Sequence, residues 1–297
     1  MLTQITTVVF SPTGQTRTLV EQLGKTLGEK LGLPVNHEDF TLPAGQKEKR
    51  QYGPDTLVVF GTPTYAGRVP NKALPFVETL FEGKGTPALA LVTYGNRNYD
   101  SSLTELRNEL QDHGFVVLGA GAFAAPHAFA QIGGEHPTAQ DKEAFAALAQ
   151  AAAEVLKSGK PLKPVTLGDE KPVAPYYIPL GEDGQPAKFL KAKPLTDSAK
   201  CDHCGICAKV CPMGSINPEN TDEVPGICIK CQACVVYCPQ KAKYFDDARF
   251  LSHKAMLESH YQKLAPSVVF LPKAWTKKKA LPSAISGRAE LFYQDKI

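Results

Sequence analysis

Cys201, Cys204, Cys207 and Cys211-Pro212 are followed by Cys228, Cys231, Cys234 and Cys238-Pro239. The pattern C-x2-C-x2-C-x3-C-P is thus written twice, and it uses all 8 cysteines of the 297-residue chain. A cubane of iron and sulfide needs four thiolates around one small object: three from a tight loop and a fourth from elsewhere. The chemistry expected is therefore one-electron transfer, or a reaction fed by it. Pro212 and Pro239 turn the chain after the last thiol of each run and remove a backbone N–H there. Gly205, Ile206, Gln232 and Ala233, small or neutral, let backbone N–H groups approach the sulfurs. Four-cysteine zinc sites also use C-x2-C pairs, but rarely the third cysteine or the trailing C-P. A disulfide framework is disfavoured, because no cysteine precedes Cys201 and no secretion signal opens the chain. His203, inside the first loop, reads as a solvent-facing polar residue.

This run resembles the bacterial ferredoxins that hold two [4Fe–4S] clusters. In that family the fourth thiolate comes from the other repeat. The resemblance therefore implies Cys201, Cys204, Cys207 and Cys238 for one cluster, and Cys228, Cys231, Cys234 and Cys211 for the other.

The formal charge of +3 is too small to argue for nucleic acid. No apolar run approaches the ~20 residues needed to span a bilayer. No basic segment followed by an apolar stretch opens the chain, so the expected location is a reducing cytoplasm. Basic residues gather after Asp247, among them Arg249, Lys254, Lys263 and the Lys277–Lys279 run. That run is either a docking point for an acidic electron donor or a solvated loop.

The first half must position the rest of the chemistry. Residues 3–10 are rich in β-formers, and residues 17–31 carry Leu19, Val20, Leu23, Leu27 and Leu31 at helical spacing. The alternation continues with strand 57–61, helix 71–81, strand 88–93, helix 101–113, strand 115–123 and an Ala-rich helix 138–156. A weaker strand passes through 35–40. The pattern predicts an α/β fold, a doubly wound parallel sheet of five strands in the order 2-1-3-4-5. Its ligand site lies at the carboxyl ends of the strands.

Three loops fall at those ends. In the first, Ser11, Thr13 and Thr16 supply hydroxyls, Gly14 lets the backbone fold around an anion, and a helix N-terminus follows. With no lysine it is not a nucleotide P-loop. It suits a phosphate monoester held by neutral donors, although the same residues also make an ordinary turn and cap. The second loop holds Thr62, Pro63, Thr64, Tyr65, Ala66 and Gly67. The third holds Thr93, Tyr94, Gly95, Asn96, Arg97, Tyr99 and Asp100. Tyr65 with Tyr94 or Tyr99 suits a flat ring system, and Gly67 and Gly95 offer backbone N–H groups to its edge. His127 is a candidate proton donor or a satisfied loop histidine. Arg68 and Arg97 are either charge partners for a ligand or rim charges.

Residues 1–157 resemble a short-chain flavodoxin, whose three loops bind FMN. Ser11-Pro12-Thr13-Gly14-Gln15-Thr16 is similar to the T-x-T-G-x-T phosphate loop, departing from it at Pro12 and at Gln15, where Asn is frequent. Thr62–Gly67 resembles the loop on one flavin face, and Tyr94–Asp100 the loop on the other face and the pyrimidine edge. The whole chain is similar to flavodoxin–ferredoxin fusion proteins. That resemblance implies a flavodoxin-like domain over 1–157, a Pro-rich linker over 158–196, a small α+β ferredoxin-like domain over 197–246, and a helix and tail over 247–297 packing on the rest. It implies FMN and two [4Fe–4S] clusters as cofactors.

Tyr176, Tyr177, Ile178 and Phe189 are apolar for a free linker, so the linker is expected to wrap the first domain. A helix is expected over 247–264, with Trp275 and Phe292 packing back onto the protein. The expected function is single-electron transfer between the clusters and FMN, with redox proteins as partners. The alternative is an FMN-dependent reductase of a small acceptor such as a quinone. The long linker also permits a homodimer in which one chain's clusters serve the other's FMN.

Overall fold

The computed structural model describes residues 1–168 and 173–271. Five parallel strands form the centre: β1 (Gln4–Val9), β2 (Val35–Asp39), β3 (Thr56–Pro63), β4 (Thr86–Tyr94) and β5 (Phe115–Ala124). Their order is 2-1-3-4-5, with Ile5 opposite both Val35 and Leu57. Helices α1 (Gln15–Leu31), α2 (Leu74–Leu80), α3 (Ser102–Asp112) and α4 (Ala139–Lys157) cross between strands. Alternate residues of each strand face opposite sides, so the sheet has two cores. Ile5, Leu57, Val59, Leu89 and Leu91 pack against Val20, Leu23 and Leu27 of α1 and Leu148 of α4. Val8, Val58, Phe60, Ala90 and Val92 pack against Val77 of α2 and Leu103 and Leu106 of α3. Helix α1 lies close on the sheet: a Cβ at Gly24 would sit 2.4 Å from Thr7 Cγ2.

The sequence predicts five strands, and the sheet has six. Strand β6 (Val268–Phe270) pairs antiparallel with the outer edge of β5, Phe270 opposite Ala120. It covers an edge that would otherwise present unpaired backbone groups. The helix expected over 71–81 begins at Leu74, where Pro75 fits the first turn. Phe81 instead opens a short strand paired with Arg50–Tyr52.

Helix α7 (Ala248–His260) is capped by Asp247, whose carboxylate accepts from Phe250 N at 2.9 Å. It ends four residues before the expected Leu264, because the carbonyls of Tyr261 and Lys263 are held by Asn96. The linker lies against the first domain. Arg68 Nη1 donates to Ala174 O at 2.6 Å, Tyr177 N to Ala66 O at 2.8 Å, and Tyr176 Oη to Val69 O at 3.0 Å. Ile178 is the exception, exposed to solvent.

The cysteine segment is a pair of matching loops. Short helices α5 (Ile206–Lys209) and α6 (Ala233–Val236) follow the second cysteine of each run. An antiparallel ribbon joins Leu195–Thr196 to Lys243–Tyr244. The repeat is visible in the backbone: His203 and Lys230 have φ of 57° and 56°, and Gly205 and Gln232 have φ of 71° and 67°. Gln232 thus takes a left-handed conformation that its counterpart takes as glycine. No helix among the described residues is long and apolar enough to cross a membrane. Trp275, Lys277–Lys279 and Phe292 lie outside the described residues.

Candidate functional site

The loops after β1, β3 and β4 wall one cavity of about 630 Å³. Ser11, Thr13, Gln15 and Thr16 reach it from the first loop. Pro63, Thr64, Tyr65, Ala66 and Gly67 reach it from the second, and Thr93, Tyr94, Gly95 and Arg97 from the third. The volume falls in the usual range of small-molecule sites, about 300–1,000 Å³.

Five residues expected at the site are not on that wall. Gly14 is the left-handed residue, φ 87°, from which α1 starts. Thr62 is fully buried in β3, and its hydroxyl has no partner among the described residues. Asn96 binds the chain after α7: its Nδ2 donates to Tyr261 O at 2.8 Å and its Oδ1 accepts from Ala265 N at 2.8 Å. The Tyr99 ring packs on Tyr94, centroids 5.6 Å apart. Asp100 is spent on an ion pair with Arg97.

Hydrogen bonds fix the loops to one another. Arg17 N donates to Ser11 Oγ at 3.0 Å, Ser11 N to Thr41 Oγ1 at 2.7 Å, and the Thr16 and Thr93 hydroxyls are 2.7 Å apart. No side chain caps α1 and no acidic residue occupies its first turn. Its positive end therefore stays available to an anion, which fits a phosphate.

Much of the remaining wall comes from parts of the chain far away in sequence. Tyr176, Tyr177 and Phe189 enter from the linker, His253 and Leu257 from α7, and Ile227, Cys228, Ile229 and Lys230 from the second cysteine run. The apolar linker residues were the only sequence signal for this closure. Arg68 pairs with buried Glu105 and lies over the Tyr176 ring, so it holds the linker. Arg97, over the Tyr177 ring, does the same.

His127 accepts backbone N–H bonds from Phe129 and Ala130 at Nδ1, which puts the proton of the neutral ring on Nε2. Burial, with help from His253 and Arg97, pushes its pKa down to about 4. It is a neutral donor near pH 7, not an imidazolium acid. His253 has the opposite arrangement, with Nδ1 2.8 Å from Leu180 O.

The cysteines surround two small voids. Cys201, Cys204, Cys207 and Cys238 line one; Cys211, Cys228, Cys231 and Cys234 line the other. The second void shares Ile227, Cys228 and Ile229 with the large cavity. Tyr65 lines the large cavity, and burial, then the Cys231 and Cys228 thiols, raise its phenol well above the ordinary value. Among the described residues no three His, Cys, Asp or Glu side chains close on a single-ion site. The thiols ring a space instead. Backbone N–H groups already point at them: Ser215 N to Cys211 Sγ at 3.3 Å, Lys230 N to Cys228 Sγ at 3.4 Å, and Ala242 N to Cys238 Sγ at 3.2 Å. Buried Thr221 Oγ1, on a residue of the first void's wall, has no partner among the described residues. Spaced thiols, N–H donors to sulfur and a spare hydroxyl fit iron–sulfur clusters.

Two family models, each described as a 4Fe-4S binding domain, match residues 193–216 and 225–244. No curated protein matches the chain. Among solved structures, an archaeal flavodoxin is 15% identical, covering 52% of this chain and 99% of its own, with a TM-score of 0.38. A short-chain flavodoxin associated with a non-canonical PDU bacterial microcompartment is 14% identical, covering 54% and 100%, with a TM-score of 0.36. Rubredoxin oxygen:oxidoreductase from Desulfovibrio gigas is 17% identical, covering 52% of this chain and 36% of its own, with a TM-score of 0.38. Likeness at this level carries no argument about function. The 4Fe-4S binding domains and the cavity geometry do.

Proposed function

We propose that the chain is an electron-transfer protein that exchanges single electrons between two [4Fe–4S] clusters and an FMN held in its own cavity. The observation that carries this is Cys228, which lines both the second thiol void and the large cavity. Bound in these places, the groups supply one-electron chemistry at the thiols and one- or two-electron chemistry in the cavity.

The chain's residues do the rest. The first loop and the N-terminus of α1 would take the phosphate. Tyr65, Ala66 and Gly67 would line one side of the flat ring. Tyr177 and Phe189 would exclude water from it. Cys228, Cys231, Cys234 and Cys211 would hold the cluster beside the cavity; Cys201, Cys204, Cys207 and Cys238 would hold the other. Cys204 is exposed, which suits exchange with a partner protein at that end. Covalent linkage replaces a diffusional encounter with a high effective concentration. Anaerobically reconstituted protein is expected to carry FMN and two clusters per chain. Protein that binds neither, with iron and FMN in excess, would refute the proposal.

The wall also favours a second reading, an FMN-dependent reductase of a small acceptor. His127 and His253 bring ring nitrogens to a cavity that also reaches exposed Leu190 and Ile227. Steady-state turnover with quinones separates the two: a carrier alone gives none.

A further inference from the structure

Lys243 is a buried cation beside the first thiol void. It is 3% exposed and lines the first void with Thr196 and Thr221. Its Nζ donates to Thr196 Oγ1 at 2.6 Å and to Thr221 O at 2.5 Å. Both acceptors are neutral, and Lys243 forms no ion pair among the described residues. A buried charge faced only by neutral oxygens is costly unless an anion balances it.

The anions it faces are the thiolates of the first void: Cys201, Cys204, Cys207 and Cys238 line that void together with Lys243, Thr196 and Thr221.

We propose that Lys243 is an internal counter-charge for the cluster held by Cys201, Cys204, Cys207 and Cys238 and raises its reduction potential. The proposal rests on the cluster assignment above. Reduction adds one electron, and hence one negative charge, to a cluster that is already anionic. A fixed positive charge stabilises the reduced form more than the oxidised one, and low dielectric strengthens the effect. Lys243 touches the wall, not the reacting iron, so it is a positioning residue whose output is a potential.

The test is a dithionite titration of the anaerobically reconstituted full chain, followed by electron paramagnetic resonance. It compares wild type with Lys243→Met and Lys243→Arg. Lys243→Met is expected to disfavour reduction of that cluster by about tenfold, a fall of about 59 mV for a one-electron couple. Lys243→Arg, which keeps the charge, stays near wild type, and the flavin couple does not move. Two unchanged cluster potentials in Lys243→Met overturn the proposal, and an equal fall in both overturns the assignment of the charge to the first void. If Lys243→Met loses iron, retention by Lys243→Arg supports a charge requirement. Equal loss in both overturns it, since the charge alone then fails to hold the clusters. Wild type without cluster signals would overturn the cluster assignment itself, a separate outcome.

Discussion

The Arg97 guanidinium lies 4.0 Å from the centre of the Tyr177 ring. Asp100 holds the guanidinium from one side, and Tyr177 N donates to Ala66 O from the other strand-end loop. A linker residue is thereby fixed on the cavity wall between two loops of the sheet. Tyr177→Ala is expected to weaken FMN binding about tenfold, roughly 1.4 kcal/mol, through loss of ring contact and of the cation–π pair. Flavin fluorescence on dilution measures it, and Tyr177→Phe should retain wild-type affinity.

Glu105 is nearly inaccessible, pairs with Arg68, and accepts from Val69 N at 2.8 Å. Glu105→Ala leaves a half-buried guanidinium and a buried N–H unmatched. The expected cost is about 3 kcal/mol of stability, read by denaturant unfolding. Glu105→Gln, which keeps an acceptor, should lose less.

The two thiol sets should behave differently. Cys228→Ala and Cys204→Ala should each halve the iron bound per chain, because each removes one ligand of one cluster. Cys228→Ala should also stop flavin bleaching by reduced clusters. Cys204→Ala should leave that exchange intact, because the set beside the cavity is untouched. Iron assay and flavin absorbance check both.

His127 sets an acid limit. Its folded pKa, about 4, lies below the ordinary 6.5. Above 6.5 the ring is neutral folded and unfolded, and the shift has no effect. As pH falls below 6.5 the unfolded chain takes up a proton that the folded chain refuses until about 4. Stability then falls by about 1.4 kcal/mol per pH unit across that window. Replacing His127 by Asn should shrink the stability difference between pH 7 and pH 5 by about 2 kcal/mol, measured by unfolding at each pH.

The strand–helix alternation made the sheet order legible, because both-face burial writes itself as apolar runs and helical spacing. Three-residue β6 was not legible: it follows Pro266 and pairs antiparallel with a strand nearly 150 residues away. Asn96 looked like a ligand contact because polar residues in such a loop face the site. Its partners at 261–265 are non-local, so nothing near it in sequence revealed them. Tyr176 and Tyr177 were visibly too apolar for a free linker, but their arginine partners became evident only in space. His253 was hidden within an apolar helix, where spacing cannot separate a cavity residue from a core residue.

The central claim is electron exchange between the Cys228 side and FMN within one chain. The most direct measurement is the rate of flavin reduction after rapid reduction of the clusters, followed by absorbance at several protein concentrations. The account predicts a first-order rate that does not change over about a tenfold dilution, as an intramolecular step requires. A rate that falls in proportion to concentration would contradict it.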